Sequence, residues 1–269
     1  MRCQVSVFGV GLLVFFSLVS VSFLLSSSGV DAVMTKYEKR NAQQVRRILK
    51  SVVYPENLRI MEAYFFRNET FPAFDPQVRG RANPLGLFSD YALSLEYFYG
   101  LALQNSLAVA LEALVVQGNT AYARFTYILR TGPLPIIGFF KFNRQSQVIL
   151  WDFDIINIGL SLDLLSPNFL VICQTIMQFC VGSNAQYTSV DECMNFLSND
   201  IPLGSFDRTA SNSVRCREIH VMLIVWDPAT HCPHVGITGG NACIDTPVGQ
   251  PYLPLSGLYK NKTLAVSRF

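Results

Sequence analysis

The sequence predicts an α+β fold with a separate crosslinked C-terminal module. Helix-periodic segments come first, at Glu56–Phe66 and Tyr91–Leu103. A run of strand-like segments follows, from Leu107 to Ile158, joined by glycine turn signals. Six of the seven cysteines then fall between Cys173 and Cys243. Helices followed by a meander of short strands argue for α+β rather than for a parallel doubly wound sheet. We divide the chain into a leader (1–32), a basic linker or helix (33–54), an α+β domain (55–162) and a cysteine-rich module (163–269).

The leader has no charged residue from Val5 to Leu25, with Arg2 before the run. Val30-Asp31-Ala32 offers small residues for cleavage after Ala32, as in a secretory signal peptide. The apolar run is also long enough to span a bilayer. A cleaved signal leaves a secreted protein. An uncleaved one leaves a single-pass membrane protein anchored through residues 5–25. The flank that follows, TKYEKRNAQQVRRILK, carries six basic residues against Glu38. In an anchor this flank would sit in the cytoplasm, at odds with the cysteines, so cleavage is the preferred reading. The flank is read as a solvated helix face, and alternatively as a contact with an anionic membrane surface.

Within the α+β domain, Leu58, Met61, Ala63, Tyr64 and Phe65 give the first helix an apolar face. Three prolines and two glycines in FPAFDPQVRGRANPLGLFSD mark turns. Tyr91–Leu103 is a second helix with the core EYFYGLAL. Leu107–Val116 and Ala121–Arg130 are strands about the hairpin signal Gly118-Asn119. Gly132–Gly138 turns, and Phe139–Asn143 and Gln147–Ile158 are further strands. In VILWDFDIIN, Trp151, Phe153 and Ile155 alternate with Asp152 and Asp154, the period of a half-buried strand.

An early helix, the FDPQVRGRANPLG turn, the EYFYGLAL helix and a closing WDFDIINIGL strand together resemble the SnoaL-like (ketosteroid-isomerase-like) superfamily over roughly residues 55–160. The resemblance implies a cone: a curved antiparallel sheet wrapped around helices, enclosing an apolar pocket. It also implies that any catalysis would use acids, histidines or tyrosines inside the cone. No histidine occurs before His220. The candidates for acid–base roles are therefore Glu96, Tyr127, Asp152 and Asp154. A carboxyl in an apolar pocket has a raised pKa and suits proton transfer near neutrality. Alternation pairs Asp152 with Asp154 on one face and leaves open which face is the pocket. Such residues are equally read as solvated or structural.

In the module, Pro167–Cys180 is a helix, Ser189 with Glu192 forms a capping box, and Asn212 or Ser213 caps a helix over Val214–Val225. The remainder reads as loop. Cys173, Cys180, Cys193, Cys216, Cys232 and Cys243 behind a secretory leader make a three-disulfide framework with fifteen open pairings. Sequons at Asn68 and Asn261 agree with a lumenal, glycosylated chain. All three histidines, His220, His231 and His234, fall within fifteen residues. If they converge they would hold zinc or copper; otherwise they are ordinary hydrogen-bonding groups in a crosslinked loop. Gly236, Gly239 and Gly240 in GITGG lack the lysine of a phosphate loop and are read as turn chemistry.

A net charge of +2 speaks against a nucleic-acid partner. No GxSxG or GxGxxG sequence occurs. The expected function is binding of a small apolar molecule or a protein partner in the cone, braced by the module. The alternatives are an isomerase-, lyase- or cyclase-type enzyme in the same pocket, or a metal-binding protein at the histidines.

Overall fold

The computed structural model describes residues 34–101 and 106–245. The leader with its cleavage site and the Asn261 sequon lie outside the described residues. All described residues belong to one compact unit. Among them, no helix is long and apolar enough to cross a membrane.

Helix α1 (Lys36–Ser51) starts on a capping box, with the Thr35 hydroxyl and the Glu38 carboxylate each accepting the other's backbone N–H. Its lysines and arginines leave one face wet. Val45, Ile48 and Leu49 bury the other against β3 and β4 (below), so the basic flank also contributes to the core. Helix α2 (Glu56–Arg67) ends on Asn68, exposed and in the left-handed region at φ 56°.

The strands are β1 (Phe74–Asn83), β2 (Gly86–Phe88), β3 (Ser106–Gln117), β4 (Thr120–Leu129), β5 (Gly132–Phe142) and β6 (Val148–Ile155). They form one sheet in the order β2–β1–β6–β5–β4–β3, in which only β1 and β6 run parallel. Its inner face packs on α1, α2 and the helical segment from Tyr91, whose apolar residues share one core with Phe125, Phe140, Trp151 and Phe153. This is the cone that the family resemblance implies.

Two expected turn regions are strands. FDPQVRGRAN is β1, and its Pro76 falls within the register shift between Phe74 and Arg79. A residue without an N–H is accommodated there because the ladder is already interrupted. The stretch 132–138 opens β5. Pro133 and Pro135 are in register with Ile128 and Thr126 of β4 and precede Ile136, where pairing with β6 begins, so their missing N–H groups interrupt no ladder with β6. Turn-forming composition was outweighed by tertiary pairing. Gly80 of β1 is required by packing, since a Cβ there would lie 2.1 Å from the Trp151 ring.

The second predicted helix is α3 (Tyr91–Leu95), continuing as a π-helical turn over Glu96–Gly100. After β6 come α4 (Ile158–Leu162), α5 (Phe169–Phe179), α6 (Val190–Asn195), α7 (Val214–Leu223) and α8 (Pro228–Val235). Ser189 caps α6, but the Glu192 carboxylate bonds the Thr188 N–H and hydroxyl at 2.6 Å instead of closing a box on Ser189. Helix α8 corrects the expected loop. Asp227 is its N-cap and Pro228 its first turn, a start signal that was readable in WDPAT.

The six cysteines pair as Cys173–Cys193, Cys180–Cys232 and Cys216–Cys243. The first two bridges lie in a second, smaller core with Ile172, Ile176, Leu197 and Val235. Helix α7 belongs to both cores: Ile219 and Leu223 join the cone, and Val214 joins the module. The module is thereby joined to the cone through α7.

Candidate functional site

A cavity of about 300 Å³ lies between the cone and α7. Tyr127, Ile136, Trp151 and Phe153 line it from the sheet, and Ile219 and Met222 from α7. Alternation along β6 places Trp151 and Phe153 inside. Asp152 and Asp154 consequently face the other way. Asp152 accepts from Arg81 Nε at 2.5 Å, and both side chains are about one-tenth exposed. Asp154 is half-exposed and accepts from Asn83 at 3.1 Å. These two candidates brace the outer face of β6 against β1 and do not reach the cavity.

Tyr127 does reach it. Its ring is buried and its hydroxyl has no hydrogen-bond partner among the described residues. Burial raises its pKa, so the phenol stays protonated and can donate. The Thr131 hydroxyl, also in the cavity wall, is buried and unpartnered in the same sense. Sequence reasoning missed the one carboxylate in the wall, Glu218, which pairs with the buried Arg215 at 2.7 Å. Desolvation raises the Glu218 pKa, and the Arg215 contact opposes this. The Arg215-x-x-Glu218 spacing on a helix was the available signal. It could not show that α7 turns this pair toward the cone.

The fourth candidate, Glu96, lies elsewhere. Its side chain is fully buried on the π-helical turn after α3, and its Oε2 lies 3.0 Å from His231 Nε2. Burial raises its pKa and the contact with His231 lowers it, with burial the larger effect. The three histidines do converge. His220 Nδ1 is 3.1 Å from His231 Nδ1 and 3.2 Å from His234 Nδ1. Burial and the neighbouring imidazoles hold His220 well below its ordinary pKa, and His234 is lowered to about 4, chiefly by burial. The neutral forms, which carry the lone pairs that ligate metals, are thereby favoured.

Tyr97 connects the two places. Its ring stacks on Phe88 with centroids 4.1 Å apart and lines the cavity, and its hydroxyl is 3.4 Å from His220 Nδ1. In GITGG, Gly240 packs the chain onto α8. Gly240 has φ +52°, and a Cβ there would lie 2.6 Å from the Pro233 carbonyl carbon and 2.8 Å from the His234 ring.

Residues 169–246, which contain every cysteine of the disulfides and all three histidines, match the BfoA family C-terminal domain. The chain is 29% identical to the bifonsecin B biosynthesis cluster protein A of Aspergillus brasiliensis, over 72% of this chain and 75% of that one. It is 28% identical to the aurasperone B biosynthesis cluster protein A of Aspergillus niger, over 72% and 73%. Among solved structures it is similar to a SnoaL-like polyketide cyclase from Jannaschia sp. CCS1, at 14% identity and a TM-score of 0.37, covering 50% of this chain and 98% of that one. It is also similar to a ketosteroid isomerase from Kribbella flavida, at 12% identity and a TM-score of 0.35, covering 49% and 84%.

Proposed function

We propose that the protein holds an apolar aromatic small molecule in the cone cavity and serves a small-molecule biosynthesis. The observation that carries this reading is the cavity itself. It is walled by aromatic and aliphatic side chains, with the unpartnered hydroxyls of Tyr127 and Thr131 buried in the wall. Apolar surface supplies affinity, and a few fixed polar groups orient the ligand. A ligand oxygen that accepts from Tyr127 would satisfy a donor otherwise left without a partner, a state that costs about 1–3 kcal/mol. The two Aspergillus relatives are named for clusters that make bifonsecin B and aurasperone B, which supports a biosynthetic setting.

We place this activity in the secretory pathway. Three paired disulfides and an exposed sequon at Asn68 support that location.

The test is calorimetric titration with 2-naphthol, a bicyclic phenol that matches the wall chemistry. Saturable one-site binding is expected, and Ile136→Phe, which pushes a larger ring into the cavity, should weaken it. A folded protein that binds neither 2-naphthol nor larger tricyclic phenols up to their solubility would overturn the proposal. Glu218 favours a second reading, an isomerase- or cyclase-type enzyme with that carboxyl moving the proton. In that case Glu218→Gln should retain binding and lose turnover.

A further inference from the structure

We propose that His220, His231 and His234 form a site for one divalent transition metal, and that zinc is the ion it is built for. The argument begins with the nitrogen atoms. Zinc binds imidazole nitrogen at about 2.0–2.1 Å in a tetrahedral arrangement, which puts neighbouring ligand nitrogens about 3.3 Å apart. The two Nδ1–Nδ1 separations here are 3.1 and 3.2 Å, and all three donor atoms lie within 4.8 Å of one another.

Proton accounting points the same way. With the Glu96 carboxyl ionised, its 3.0 Å contact places the hydrogen on His231 Nε2. In the neutral ring, His231 Nδ1 is then a lone pair aimed at His220 Nδ1. His220 Nδ1 faces His234 Nδ1 as well. One shared proton satisfies a single pair and leaves the third nitrogen facing a lone pair. One cation at the centre satisfies all three.

The surroundings have the features of a ligating shell. A metal-bound histidine commonly donates its other N–H to a carboxylate, which fixes its tautomer and orientation. Glu96 provides this for His231 from a different part of the chain, and neither side chain is exposed. The ligands are held on two short helices that are covalently fixed. Cys216, one turn before His220, is bonded to Cys243, and Cys232, next to His231, is bonded to Cys180. Gly240 packs against the His234 ring. Cys216 and Cys243 lie close to His220, but their sulfurs are spent in a disulfide, so the donors are neutral nitrogens. Imidazole sets suit zinc and copper, and of these zinc has no preference for a planar arrangement. Three protein ligands leave a fourth position. The Tyr97 hydroxyl, 3.4 Å from His220 Nδ1, brings an oxygen to this cluster from a ring that also lines the cavity.

This inference does not depend on the cavity reading, and its test needs no organic ligand. The full chain is made in an oxidising secretory host without a histidine tag, stripped with a chelator, and checked for three disulfides. Co(II) and Zn(II) alone are the probes. One equivalent of Co(II) should give the intense visible bands of a tetrahedral nitrogen site, and one equivalent of Zn(II) should remove them. His234→Ala should abolish those bands. Glu96→Gln keeps all three ligands and should weaken zinc by about 10–100-fold. Circular dichroism establishes that each variant is folded; if His234→Ala is not, the wild-type titration decides alone. A folded, disulfide-intact wild type that takes up no stoichiometric Co(II) or Zn(II) would overturn the proposal. So would undiminished binding after replacement of all three histidines.

Discussion

Removal of the Cys180–Cys232 disulfide should loosen the metal ligands and the fold together, whereas removal of Cys173–Cys193 should affect only the fold. The first bridge spans 52 residues and joins the end of α5 to α8, between His231 and His234. The second spans 20 residues and joins α5 to α6, which carry no histidine. Loop-closure entropy gives about 4 kcal/mol for the longer loop and about 3 kcal/mol for the shorter. With a urea slope of about 2 kcal/mol per molar, the Cys180→Ala/Cys232→Ala midpoint should fall by about 2 M. The Cys173→Ala/Cys193→Ala midpoint should fall slightly less. The Co(II) titration separates the two roles. Freed from α5, α8 can shift its two histidines relative to His220. Even an ångström of misplacement costs a site its geometry, so affinity should drop at least about tenfold in the first variant and stay within about twofold in the second. Equal loss in both variants, or full affinity in the first at lowered stability, would refute the claim that this bridge positions the ligands.

Three further outcomes are expected. Asp152→Asn should cost about 1–2 kcal/mol in urea melts, because it leaves a mostly buried arginine only the longer 3.9 Å ion pair with Asp154, and should leave 2-naphthol affinity unchanged; lost affinity at unchanged stability would return Asp152 to the site. Tyr127→Phe should alter stability by less than about 1 kcal/mol while weakening 2-naphthol about fivefold, since only a ligand can use its hydroxyl; an unchanged affinity by calorimetry would remove Tyr127 from ligand contact. Tyr91, buried and accepting the Phe71 N–H at 2.7 Å, has its pKa raised to about 12. A raised pKa stabilises the fold fully below pH 10 and is lost as pH rises toward 12. Stability should therefore fall across that window by about 2–3 kcal/mol from this residue, read as unfolding coincident with tyrosinate absorbance; tyrosinate formation in a fully native protein would contradict it.

Residues whose role depends on local pattern were legible in the sequence. The alternation of Trp151, Phe153 and Ile155 with two aspartates announced β6, and the cap signal at Asn212 or Ser213 announced α7, with Ser213 the residue that caps it. Where composition and pairing disagreed, composition misled. The prolines of β1 and β5 read as turns because the register shift and the late start of β6 pairing that accommodate them lie on other strands.

Proximity in sequence put the three histidines within fifteen residues, and local signals gave the helices that carry them. The 180–232 and 216–243 bridges tie down the two helices on which they converge, and nothing in the cysteine spacing selects those pairings from the fifteen. Glu96 was visible as a carboxylate in a helix, but its partner lies 135 positions away. Asp152 and Asp154 were equally visible, and only the curl of the sheet turned them away from the cavity. Helical period, strand period and disulfide content are local or compositional properties, and they can be read along the chain. Which face is inside, which cysteines meet and which carboxylate meets which imidazole are set by packing between distant segments, and they emerge only in the folded chain.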